Sequence, residues 1–126
     1  MNLTGKCKEE FEKWYLFDYI KMIPEKDWEL EFINQFEITR LYLIKEFYNK
    51  KPSEKYGVLV DYFDSVGIEA LVMRWKGKYV ESIYKMSNDK SLTGGLHEGR
   101  KGFKTRPEAR TKAIEKANEI RNEQLK

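Results

Sequence analysis

The sequence is poor in the residues from which metal and redox sites are usually built. It has a single cysteine, Cys7, and a single histidine, His97. One cysteine cannot form an intramolecular disulfide bond, which favours a reducing compartment. One histidine cannot complete the ligand set of a typical zinc site. We therefore predict a cytoplasmic protein without a metal ion or a cofactor.

The sequence also lacks long apolar runs. No stretch approaches the roughly 20 apolar residues of a membrane-spanning helix, and the N-terminus has no basic segment followed by an apolar run of the kind that directs secretion. Charged residues make up 36% of the chain, yet the formal net charge is only +3. This composition predicts a soluble protein with no membrane partner.

The length of the chain, 126 residues, is typical of one domain. Seven Phe, eight Tyr and three Trp provide large side chains to fill its core. We predict a single domain, residues 1–126. Within it, residues 87–102 are rich in glycine and have no apolar period, so they are expected to form a flexible loop.

The few prolines divide the sequence into helical stretches, because proline is tolerated before a helix or in its first turn. They are Pro24, Pro52 and Pro107. The first predicted helix spans residues 4–22 and places Cys7, Phe11 and Tyr15 on one face. The second spans residues 27–48 and is so rich in large apolar residues that we expect it to be the central helix of the core.

Residues 53–67 allow two interpretations. The triplet Val58-Leu59-Val60 favours a strand, whereas the spacing of the apolar residues favours a helix. Ser53 is a good N-cap residue, and Gly67 is typical of the left-handed residue that ends a helix. We predict a helix and keep a strand as the alternative.

A period of two from Ile68 onwards indicates a β-hairpin, residues 68–86, that turns at Lys76-Gly77. One face of the hairpin is predicted to be buried, and it holds Leu71, Met73, Trp75, Val80, Tyr84 and Met86. The other face, which carries Glu81, is predicted to be wet. A short extended piece around Phe103 is expected to add a third strand.

The last helix is predicted from a capping box with proline in its first turn, Thr105-Arg106-Pro107-Glu108. One face of this helix is apolar and holds Ala109, Ala113, Ile114, Ala117 and Ile120, and the helix is expected to end near Asn122. Together the elements predict an α+β fold. It has three N-terminal helices, a small antiparallel hairpin or three-stranded sheet, and a C-terminal helix packed on the sheet.

Three patterns are weak candidates for catalytic or metal sites. Gly94 and Gly99 have the spacing of a P-loop, but the Lys and Ser/Thr that a P-loop needs are missing. Asp61 and Asp64 would lie together on a helix without a third metal ligand. His97 lies in the flexible loop, which gives it no fixed geometry. We predict no catalytic residues, and a small enzyme with an unrecognised site is the second alternative.

A basic cluster is the strongest candidate for a binding site. Its members are Arg100, Lys101, Lys104, Arg106, Arg110 and Lys112. Arg106 and Arg110 are one turn apart at a helix N-terminus, where free backbone N–H groups and the helix dipole favour an anion. We predict that the cluster binds an anion or a partner, and the alternative is an ordinary solvated helix face.

Three blocks of the sequence carry a family resemblance: LTGKCKEEFEKWY, YGVLVDYFDSVGI and GFKTRPEARTKAIEKANEIRN. Together they resemble a family of small uncharacterised proteins of Bacteroidota and their phages. The resemblance implies an accessory protein of phage or mobile-element type in a bacterial host cell. The function expected on this basis is that of a non-enzymatic interaction module with a protein partner.

The start of the last helix, TRPEARTKAI, is similar to the start of the last helix of double-stranded-RNA-binding domains, where basic residues grip phosphates. Arg106 and Arg110 match two of the usual lysines of that helix, and Pro107 stands where a third basic residue is expected. This similarity implies nucleic-acid binding through the basic cluster, which is the first alternative function.

Overall fold

The computed structural model describes residues 1–21, 30–85, 90–91 and 102–126. Its elements, in chain order, are α1 (Gly5–Trp14), a π-helical turn (Tyr15–Tyr19), α2 (Leu30–Tyr48), α3 (Pro52–Ser65), β1 (Ile68–Trp75), β2 (Lys78–Lys85), β3 (Lys90–Ser91) and α4 (Arg106–Gln124). The strands form one antiparallel sheet in the order β1-β2-β3. The predicted α+β fold, with a C-terminal helix packed on a small antiparallel sheet, is confirmed. None of the helices in these ranges is long and apolar enough to cross a membrane.

Helix α1 buries the face that its apolar spacing predicts. Cys7 and Phe11 are fully buried, and Tyr15 and Leu16 continue the buried face into the π-helical turn. The phenyl ring of Phe11 packs against the ring of Phe47, with 4.9 Å between the ring centroids. The first helix therefore supplies one side of the aromatic core.

The side chains of helix α2 are described from residue 37 onwards, and those near its C-terminal end face the core. Phe47 is fully buried, and Ile44 and Tyr48 pack against the core. Three large apolar residues one turn earlier are exposed, and they are Ile38, Leu41 and Tyr42. The exposure of these three residues goes against the prediction of a central core helix, and the side chains of residues 30–36 lie outside the described part of the chain. The predicted start of this helix, residues 27–29, lies outside the described residues.

Helix α3 settles the two interpretations of residues 53–67 in favour of a helix. It begins at Pro52 with Lys51 as its N-cap, so the predicted cap, Ser53, lies inside the first turn. It ends as predicted, since Gly67 has a φ of 81°, the left-handed conformation that glycine adopts without strain. Leu59, Tyr62 and Phe63 of this helix are buried in the core.

The hairpin has the predicted register and turn but the opposite buried face. Lys76 and Gly77 both have positive φ, as a two-residue turn of this kind requires. The face that packs under the helices holds Ile68, Ala70 and Ile83, which are buried. On the face predicted to be buried, Val80 is buried, but Met73 and Trp75 are 45% and 40% exposed, and Met86 lies outside the described residues. The prediction of the buried face is therefore wrong apart from Val80.

The physical reason for the reversed face is the close approach of α4. Ala109, Ala113 and Ala117 of α4 are fully buried, and such small side chains let a helix lie close to a sheet. The same face also buries Glu81, whose Oε1 lies 2.6 Å from Nζ of Lys116 on α4. An ion pair whose carboxylate is buried therefore lies on this face. A prediction that selects the face with more large apolar residues does not expect a charged pair there.

Two further predictions concern the chain after β2. Most of the predicted flexible loop, residues 87–102, lies outside the described residues, although Lys90 and Ser91 pair with β2 as the short strand β3. The predicted extended piece around Phe103 is present as a single antiparallel bridge between Phe103 and Tyr79. This bridge places the start of α4 beside the hairpin turn.

Candidate functional site

Helix α4 begins with the predicted cap. The side chain of Thr105 accepts a hydrogen bond from the backbone N–H of Glu108 and donates one to its carboxylate, at 3.4 and 3.0 Å. Pro107 lies in the first turn. The cap fixes the direction in which the first two turns of the helix present their side chains.

Two arginines in these first turns lie over tyrosine rings. The guanidinium carbon of Arg106 is 5.3 Å from the ring centroid of Tyr79 on β2, and that of Arg110 is 4.9 Å from the ring centroid of Tyr56 on α3. Burial raises the pKa of Tyr56, and the positive charges of Arg110 and Arg106 oppose that rise. Both guanidinium groups therefore lie at the junction of α3, α4 and β2.

No carboxylate among the described residues pairs with Arg106 or Arg110. Glu108 lies between them in sequence, but its side chain is engaged by the cap residue Thr105. It also projects from another side of the helix, because residues two apart are about 200° apart around the axis. Within the described part of the chain, the two guanidinium groups thus have aromatic neighbours and no carboxylate on their hydrogen-bond donors.

The hairpin turn adds basic residues that the sequence analysis missed. Arg74 stands directly opposite Tyr79 in the register of β1 and β2, so both side chains lie on the same face of the sheet. Lys76 and Lys78 flank the glycine of the turn, and all three basic residues are exposed. The sequence did indicate these basic residues, because RWKGK, residues 74–78, carries three positive charges in five residues. We interpreted this run only as a turn.

We call this surface the basic end. Its members are Arg74, Lys76, Lys78, Lys104, Arg106 and Arg110. Lys104 precedes the cap of α4 and is exposed. The predicted cluster is thus extended by the hairpin turn at one end of the molecule.

The predicted cluster does not come together completely. Lys112 is two residues beyond Arg110 and therefore points to the other side of α4. Its Nζ lies 3.5 Å from the carboxylate of Glu115. Arg100 and Lys101 lie outside the described residues.

The weaker candidates have ordinary structural surroundings. Asp61 and Asp64 are both exposed on α3, and no group of three or more potential metal ligands exists among the described residues. Burial raises the pKa of the Cys7 thiol to about 11, so the thiol is protonated at neutral pH. His97 lies outside the described residues.

The opposite end of α4 holds a second polar cluster. The carboxylate of Glu10 accepts two hydrogen bonds from Arg121, at 2.8 and 2.9 Å, and one from the Tyr62 hydroxyl at 2.8 Å. The bonds from Arg121 keep the pKa of Glu10 below its ordinary value. An open groove of about 580 Å³ lies beside Glu10, and Trp14 and Phe17 are among the residues that line it.

Comparison with known proteins yields neither a family nor a fold neighbour, since no family model, no curated protein and no solved structure matches the chain.

Proposed function

We propose that this protein is an interaction module that binds the phosphate backbone of a nucleic acid through its basic end. The observation that supports the proposal is the arrangement of Arg106 and Arg110. Both are at the N-terminus of α4, both lie over tyrosine rings, and neither has a carboxylate partner among the described residues.

The electrostatics of the site favour a polyanion. Like charges one turn apart on a helix repel each other by a few tenths of a kcal/mol, and the positive end of the helix dipole adds to that repulsion. An anion bound between Arg106 and Arg110 removes both costs. Arg74 and Lys78 from the hairpin continue the positive surface, so more than one phosphate can be contacted at once.

The tyrosine rings favour arginine as the phosphate contact. A guanidinium over an aromatic ring is stabilised by the cation–π attraction while its N–H groups stay free at the edge. The planar fork of those N–H groups matches the oxygens of a phosphate. Tyr56 and Tyr79 thus reduce the side-chain freedom that Arg110 and Arg106 lose when they bind.

The similarity of the start of α4 to the last helix of double-stranded-RNA-binding domains makes duplex RNA the first ligand to test.

The test is the binding of a fluorescently labelled duplex RNA, measured by anisotropy beside a duplex DNA and a single strand of the same length. Changing Arg106→Glu together with Arg110→Glu should lower the affinity for duplex RNA at least about thirtyfold, because two phosphate contacts become repulsive. Acidic side chains in the first turns suit the helix dipole, so the melting temperature should stay the same or rise slightly.

The matched control is Lys50→Glu together with Lys112→Glu. It changes the net charge by the same amount at two positions outside the basic end, of which Lys50 is exposed and Lys112 is half-buried. This control should bind like the wild type within about threefold, since only long-range electrostatics change. Equal loss of affinity in both double variants, or no wild-type binding to any of the three ligands at low salt, would refute the proposed function.

A further inference from the structure

Helix α2 presents an apolar patch that the fold leaves uncovered. Ile38, Leu41 and Tyr42 are 62%, 63% and 59% exposed. Leu41 and Tyr42 are three and four residues after Ile38, so the three side chains lie on one side of the helix. Single exposed apolar residues are common, but a contiguous patch of large ones marks an interaction surface.

The charges along α2 indicate which partner fits the patch. On the side of the helix that carries Leu41, Glu37 lies four residues before it and Lys45 four residues after it. The neighbouring charges Arg40 and Glu46 project from other sides of the helix. The carboxylate of Glu37 lies 3.2 Å from Arg40, with 52% of the Glu37 side chain exposed, so it remains accessible. Lys45 is exposed as well.

In an antiparallel pair of α2 helices, the acidic residue of one copy faces the basic residue of the other. With two copies of α2 antiparallel and Leu41 at the twofold axis, Glu37 of each copy comes level with Lys45 of the other, since each is four residues from Leu41. A parallel pair would place like charges at the same level. Antiparallel pairing also sets the two helix dipoles favourably. A symmetric interface in which one patch meets itself is the commonest form of protein self-association.

We propose that the patch on α2 binds a second copy of this chain, antiparallel, to form a twofold homodimer. The core contacts of α2 leave this patch available. The buried part of α2 is its other side, where Phe47 packs against Phe11, so the exposed patch and the core do not compete for the same side chains. The surface of three large side chains is small, so the dimer should be weak and concentration-dependent.

Sedimentation velocity of the full chain over a range of concentrations measures this equilibrium directly. The wild type should pass from monomer to dimer as concentration rises to a few hundred micromolar, an affinity that a small interface allows. Leu41→Glu should raise the dissociation constant at least about tenfold, because it places a charge at the twofold axis. Thr39→Glu adds the same charge to an exposed position on another side of α2 and should leave the constant nearly unchanged.

A charge exchange tests the direction of the helices. Lys45→Glu alone should weaken the dimer, and Lys45→Glu combined with Glu37→Lys should restore it, because the pairs re-form with reversed signs. Circular dichroism establishes that each variant is folded. A wild type that stays monomeric over the whole range, or a dimer unaffected by Leu41→Glu, would overturn the proposal. A double exchange as weak as Lys45→Glu alone would overturn the antiparallel arrangement.

Discussion

The two ends of α4 use arginine in opposite ways. At the C-terminal end, Arg121 is 18% exposed and its three guanidinium nitrogens donate to Glu10 and Gln124. At the N-terminal end, about 22 Å away along the axis, Arg106 and Arg110 lie over tyrosine rings without a carboxylate among the described residues. A fully paired arginine stabilises the fold, whereas an arginine with free donors is available for a ligand.

The paired end also ties the chain together. The backbone N–H of Thr4 donates to Asn118 at 3.0 Å, and the backbone N–H of Cys7 donates to Asn122 at 2.8 Å. These bonds satisfy N–H groups that the start of a helix cannot pair internally. The start of α1 is therefore attached to the end of α4, next to the Glu10–Arg121 pair.

The largest effect expected from this comparison is on stability. Arg121→Ala should lower the free energy of unfolding by about 2 kcal/mol, because it leaves the carboxylate of Glu10 without its charged donor. Arg106→Ala should change it by less than about 0.5 kcal/mol, as is usual for exposed residues. Urea denaturation measures both values. An equal loss of unfolding free energy in the two variants would show that the arginines at the two ends of α4 do not differ in their contribution to stability.

A smaller effect concerns the pH dependence of that stability. Hydrogen bonds from Arg121 hold the folded pKa of Glu10 below its ordinary value of 4.5. The stabilisation is therefore fully present above pH 4.5 and is lost as the pH falls through the lower folded pKa. The difference in unfolding free energy between the wild type and Glu10→Gln should accordingly shrink as the pH is lowered from 6 to 3. A difference that stays constant over that range would show that Glu10 does not act through its charge.

The smallest effect sharpens the description of the basic end. Tyr79→Leu should weaken nucleic-acid binding about two- to fivefold, because Arg106 loses the aromatic ring that holds it. Tyr79→Phe keeps the ring and should bind like the wild type. Anisotropy titrations on the same duplex distinguish the two variants. A phenylalanine variant as weak as the leucine variant would assign the effect to the hydroxyl group instead.

Local signals made much of the fold predictable. The cap and proline at the start of α4 and the glycine at the end of α3 each determine backbone geometry within a few residues, and all were predicted correctly. The turn at Lys76-Gly77 fixed the register of the hairpin in the same way.

The buried face of the sheet depended on contacts between distant residues, and it was predicted wrongly. The choice between the two faces is decided by the close approach of α4 and by the pair of Glu81 with Lys116, which are 35 residues apart. The composition of the basic end also depended on contacts between residues that are distant in sequence. Arg106 and Arg110 were recognisable from the helix start, but only the pairing of Phe103 with Tyr79 shows that Arg74 belongs with them.

Several expectations from the sequence remain predictions. They are the kinship with proteins of Bacteroidota and their phages, the accessory role of phage or mobile-element type, and a protein partner. The basic end is our proposed place for binding a partner, and the chemistry of that surface favours a nucleic acid. The central claim is therefore that Arg106 and Arg110 of α4 bind phosphate.

The salt dependence of wild-type binding tests that claim most directly. If Arg74, Arg106 and Arg110 each neutralise one phosphate of duplex DNA, log K against log salt should have a slope of about −3, since each contact contributes about −0.9. Arg106→Ala with Arg110→Ala should reduce the slope to about −1. A wild-type affinity that does not change with salt, or a slope that the double variant leaves intact, would contradict the assignment of the basic end as the binding site.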